Sequence, residues 1–275
     1  MAWGLLIDPR GSPWAPWLSV TEVLPAQGEW FDASRLLDPQ PRHFVSLRAG
    51  IDGAAALAFD LGAPAEMLTH AALIATTLAA GMLRLAGSAS DPTGAAGEAF
   101  DTGALDLAGL AEPRTGSIVM ALAPVGPAQY LRVELAGQVP NGFVELGLVV
   151  AGAAVLPARQ WQFGAAAGRL DLSLGETAAE TGVMFGRPGA APRIWQFSVP
   201  HARAESVPAG PAMPLTDRLR LAAADRRDVL AIPDIADAPT AMSRRAIWGR
   251  IESAGGDVMQ HFDVVTVPWR VVERL

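Results

Sequence analysis

The chain has no cysteine and no lysine. Without cysteine there can be no disulfide, thiolate zinc site, iron–sulfur cluster or cysteine nucleophile. Without lysine there is no Schiff-base amine and no P-loop amine; all 21 basic residues are arginine. A basic excess is missing too. The formal charge is −7 and the pI about 5.1, which argues against a nucleic-acid binder, because a positive field is what collects phosphates. The motifs G-x-S-x-G, H-E-x-x-H, G-x-G-x-x-G and the EF-hand loop are all absent. His43, His70, His201 and His261 are scattered singly and read as strand or loop residues, not as bases.

Long apolar runs are scarce as well. Met67–Leu85 is the one stretch to weigh as a membrane span, and it carries His70, three threonines and Arg84. Two strands meeting near Ala79–Gly81 account for it better than a helix in lipid. No basic n-region opens the chain, and Met1–Asp8 is too short for a signal h-region. A soluble protein is the expectation. At 51% hydrophobic and 18% charged residues the chain can bury a core, and 275 residues suit one or two domains.

What is present reads as sheet. In Ala128–Gly152, Tyr130, Arg132 and Glu134 alternate with Leu131, Val133 and Leu135. After Pro140-Asn141-Gly142 comes a second alternating run, Val144, Leu146 and Leu148, that ends in Val149-Val150. Period-two patterning around a Pro/Asn/Gly turn predicts two adjacent strands with one buried face. Further strands are expected over Ala54–Leu61, His70–Thr77, Met82–Ser88 and Ser117–Ala123, at the spacing of an all-β sandwich. Beyond Pro157 the strands become more amphipathic: Arg159–Phe163, Arg169–Leu174, Gly182–Phe185 and Arg193–Val199. Leu215–Asp228 fits a helix with Leu219 on its apolar face, and Ala241–Arg245 a helical turn before a strand at Ile247–Glu252. Asp257–Glu273 ends the chain as a long strand or a bent strand pair, in which Pro268 predicts an edge or a bulge.

Candidate sites are few. Trp14, Trp17 and Trp30, with Trp3, lie among the prolines and glycines of the first thirty residues. They can form a sugar-stacking or partner-binding surface, or plug one end of a sandwich. Asp91-Pro92-Thr93-Gly94 could offer oxygens to calcium, but an Asp-Pro turn explains it more simply, and no metal or cofactor is expected. Arg169, Arg193, Arg244, Arg245 and Arg250 suit bidentate interface pairs with carboxylates, or solvated strand faces.

Two resemblances follow from these segments. Phe59–Gly62 (FDLG), the strand after its Pro loop, Tyr130-Leu131-Arg132-Val133, and the closing strand from Glu145 to Gly152 together resemble galactose-binding-like jelly-roll modules of the discoidin kind. Over a longer span the chain is similar to virion proteins encoded among the tail genes of tailed bacteriophages. That likeness rests on Asp60–Gly62, His70–Leu78, Arg132 to Gly152, Trp161–Phe197, Asp228–Asp234 and Ala246–Ile251. The resemblance implies a mainly β chain with a jelly-roll β-sandwich over 34–155; the Trp/Pro-rich segment over 1–33 is longer than the family pattern and departs from it. A second β-rich domain with one short helix would span 156–275. It further implies a structural subunit of a tail tip or baseplate, made in the host cytoplasm and carried in the virion. Its partners would be other tail proteins and copies of itself. No catalytic residue, nucleic acid or membrane insertion is implied. A carbohydrate-binding module touching host glycans is the alternative.

Overall fold

The computed structural model describes residues 4–6, 19–21, 29–31, 45–61, 67–140, 142–154, 166–169, 174–177, 184–187, 191–202, 219–220, 223–224, 228–253, 258–261 and 264–274. The protein is mainly β and built from antiparallel sheets. It divides into two compact units, Met1–Leu156 with Ile232–Ala246, and Pro157–Ala231 with Ile247–Leu275.

The strands of the first half are β1 (Gly4–Leu6), β2 (Ser19–Thr21), β3 (Glu29–Phe31), β4 (Val45–Arg48), β5 (Ala55–Asp60), β6 (His70–Ile74) and β7 (Met82–Ser88). They continue with β8 (Phe100–Asp101), β9 (Leu105–Asp106), β10 (Ile118–Ala121), β11 (Tyr130–Ala136), β12 (Phe143–Leu146) and β13 (Leu148–Gly152). One sheet runs β2-β5-β11-β7-β8, with β9 also on β7; a second runs β10-β6-β13, and a third β12-β4-β3.

Alternation decides which side chains face inward. Leu131, Val133 and Leu135 of β11, Leu57 and Phe59 of β5, and Leu83 and Leu85 of β7 point to one side. They join Leu73, Ile118, Met120 and Val149 from the second sheet, and Val144 and Leu146 from the third, in a single hydrophobic cluster. Inner faces of different sheets meeting in one core are the sandwich arrangement. Phe59 and Leu57 are both fully buried, and each such side chain stabilises the fold by about 1.5–3 kcal/mol.

The expected adjacency within Ala128–Gly152 is overturned. β11 pairs with β5 on one edge and with β7 on the other, so neither edge is open to β12. The second run also splits at Gly147: β12 pairs with β4, and β13 with β6. The two runs therefore lie in different sheets and meet through side chains across the core, not through backbone hydrogen bonds.

The segment Ile232–Ala246, placed by sequence in the second domain, belongs to the first unit. Its helix α1 (Pro239–Arg245) packs against β10. Met242 and Ser243 are buried there, while Arg244 and Arg245 stay exposed.

The second unit contains β14 (Ala166–Arg169), β15 (Leu174–Thr177), β16 (Met184–Arg187), β17 (Arg193–Ala202), β18 (Asp228–Ile232), β19 (Ile247–Ser253), β20 (Val258–His261) and β21 (Val264–Glu273). Its main sheet runs β18-β19-β21-β17-β14, with β20 also on β21; β15 and β16 pair with each other. Trp195, Phe197 and Val199 alternate with Gln196 and Ser198 and are buried. Their register partners Val271, Trp269 and Val267 are buried with them. Trp195 and Phe197 stack with centroids 4.6 Å apart. Leu219, Arg220, Ala223 and Ala224 are helical, as the pattern over Leu215–Asp228 predicts.

The edge position expected for Pro268 is also corrected, because β21 has neighbours on both sides. Opposite β17 it pairs throughout, including Ser198 with Pro268. On its other side β19 covers Trp269 to Glu273 and β20 covers Val264 to Thr266. Pro268 falls in the gap where one neighbour gives way to the other, a place where a missing N–H costs the ladder little. The register irregularity of this region lies in β20, between Met259 and His261.

Candidate functional site

One end of the sandwich is built from the β4–β5 turn, the chain leading into β7, and the connection from β11 to β12. The turn Gly50-Ile51-Asp52-Gly53 and the β11–β12 connection are bound to each other at both ends. Gln138 N–H donates to Gly53 O at 3.0 Å, and Ala49 N–H to Gly142 O at 3.0 Å. The buried Gln138 side chain reaches the third segment, its Nε2 donating to Ala80 O at 2.8 Å. Gly53 has φ +73°, and a Cβ there would lie 2.2 Å from Gln138 O, so this close approach needs glycine. Asp52 turns its carboxylate back on Ala54 N–H at 3.0 Å.

The tips of these braced loops are apolar and face water. Ile51 is 85% exposed, Val139 75% and Phe143 63%, and Met82, opposite Ala136 at the start of β7, is also exposed. None contributes to the core, and each leaves unrealised roughly the 1.5–3 kcal/mol that burying such a side chain provides. Single exposed apolar residues are ordinary, but a group of them on neighbouring loops marks a contact surface. Sequence reasoning missed this site. A large apolar residue at the tip of a Gly/Pro/Asn turn, as in GIDG and QVPNGF, is the signal that could have found it.

The outer face of the β5-β11-β7 sheet is polar and internally matched. Arg84 donates to Asp101 Oδ1 at 2.9 Å and to Glu134 Oε2 at 2.9 Å, and Arg132 also pairs with Glu134. Burial pushes the Glu134 carboxyl up, but the hydrogen bonds from Arg84 and Arg132 outweigh it and hold the group below its ordinary range. Asp101 is held low by Arg84. The DPTGAAG loop lies over Arg132, whose Nη1 is 3.4 Å from Thr93 O. Asp91 is the turn former that the sequence suggests: it accepts from Thr93 N–H, Thr93 Oγ1 and Ala96 N–H. These bonds pull its carboxyl below the ordinary range. Among the described residues no three His, Asp or Glu side chains converge as a metal site requires. No described helix is long and apolar enough to cross a membrane.

The second unit holds a cleft of about 610 Å³, lined by Arg220, Ala223, Arg250, Glu252, Ser253 and Trp269 among others. Its size is that of small-molecule sites. Three of its polar groups are already engaged: Arg270 holds Glu252 at 2.7 Å, and Arg220 and Ser253 have interactions of their own. The Trp269 indole N–H is buried without a hydrogen-bond partner.

The expected site residues are placed as follows. Trp14 and Trp17 lie outside the described residues; Trp30 is in β3, in register with Leu47. Arg169 is exposed on β14, opposite Arg193. Arg193 is used inside its own unit: its guanidinium holds Glu273 at 2.5–2.6 Å, and its N–H donates to the same carboxylate at 2.9 Å. Glu273, which is buried, is balanced by that charge. Arg244 is exposed on α1, and Arg245 reaches Asp237 at 2.8 Å while 53% exposed. Arg250 sits opposite Asp228, whose carboxyl is pushed up by burial and drawn back by Arg274 at 2.9 Å and by Arg250.

Compared with known proteins, the chain matches no family model, no curated protein and no solved structure.

Proposed function

We propose that the chain is a structural subunit of a tailed-phage or phage-like particle, placed at the tail tip or baseplate and acting through protein–protein contact. The observation that carries the contact role is the braced apolar loop end with Ile51, Val139 and Phe143 at its tips. Such a surface matches the centre of protein interfaces, where charge is depleted and aromatic and aliphatic residues gather. The assignment to a tail comes from the collinear sequence segments between Asp60 and Ile251. In this reading the first unit is a galactose-binding-like jelly roll. Facing antiparallel sheets with a shared core support that reading. The chain performs no catalysis in this role and needs no cofactor.

Localisation in particles tests it. Tagged protein should co-purify with tail proteins and appear as ordered density at the tail end in particle images. A monomer that binds no virion protein and is absent from particles overturns the reading. Saccharide binding by the purified protein, lost on Trp14→Ala/Trp17→Ala, would replace it with a glycan-binding role.

A further inference from the structure

We draw no further inference here: the strongest candidate, the cleft of the second unit between the helical residues Arg220, Ala223 and Ala224 and the end of β19, carries nothing, because Glu252 is held by Arg270, Arg220 and Ser253 have interactions of their own, its apolar walls Ile251 and Trp269 are buried, and nothing in the structure shows what ligand it would take.

Discussion

Ser243 and Val119 are 124 residues apart, and the hydroxyl of one covers the backbone of the other. Ser243 Oγ accepts the Val119 N–H at 2.9 Å and lies 3.2 Å from Val119 O. β10 is the last strand of the β10-β6-β13 sheet, so these groups lie on its outer edge. An uncovered edge is a template for unwanted pairing, and covering it with a helix is one of the ways proteins prevent that. A helix of seven residues is too short to be stable alone, so α1 exists because it docks. Its N-terminus has no side-chain cap, which fits that dependence.

Ser243→Ala should therefore destabilise the first unit by about 1–3 kcal/mol, the cost of an unsatisfied buried N–H. Urea unfolding monitored by circular dichroism measures it. A chain cut after Leu156 lacks the whole cover and should aggregate on purification. A well-behaved monomeric fragment would contradict the account.

His70 gives the protein an acid-side weakness. Its ring is buried in β6, Nδ1 lies 3.0 Å from Thr69 Oγ1, and Nε2 has no partner. Burial pushes its pKa down to about 4 from 6.5. The unfolded chain takes up the proton first, so this stability is complete above pH 6.5 and is lost as pH falls towards 4. The loss amounts to roughly 3 kcal/mol at 1.36 kcal/mol per pH unit. Denaturant midpoints at pH 7 and pH 4.5 should differ in that sense, and His70→Leu should flatten the difference.

Arg193 and Glu273 form a buried cross-strand pair whose members depend on each other. The Glu273 side chain is only 2% exposed. Arg193→Ala strands that carboxylate and should cost about 3–5 kcal/mol, whereas Arg193→Met/Glu273→Leu removes both charges and should recover much of it. Thermal unfolding of the two variants beside the native chain decides the order.

Gly53→Ala should lower the melting temperature by several degrees. The residue sits at φ +73°, where a side chain is strained, and the added methyl would collide with Gln138 O. The same substitution should loosen the loop end, seen as faster amide exchange at Gln138.

How much of this was legible in the sequence depends on how local each feature is. The inward set Leu131, Val133 and Leu135 could be read directly, because successive side chains on a strand point to opposite faces whatever the strand pairs with. The helix around Leu219 and the Asp91 turn could be read for the same reason. Pro268 marked a break in pairing correctly, but not its form: the strand is internal, and the break is a change of neighbour on one side.

The sequence by itself determined that the chain is sheet, which faces are apolar, and that thiol and amine chemistry are closed to it. Tertiary structure alone decided that β11 takes β5 and β7 as neighbours and leaves β12 to another sheet. It also decided that Ile232–Ala246 returns to cover Val119, that Arg193 is held by Glu273, and that Ile51, Val139 and Phe143 stand together. Alternation is a property of the backbone one residue at a time, so a sequence carries it openly. Strand partners, edge covers and surface groupings are chosen by competition among distant segments for the same hydrogen bonds and buried area. That competition is settled only when the whole chain packs.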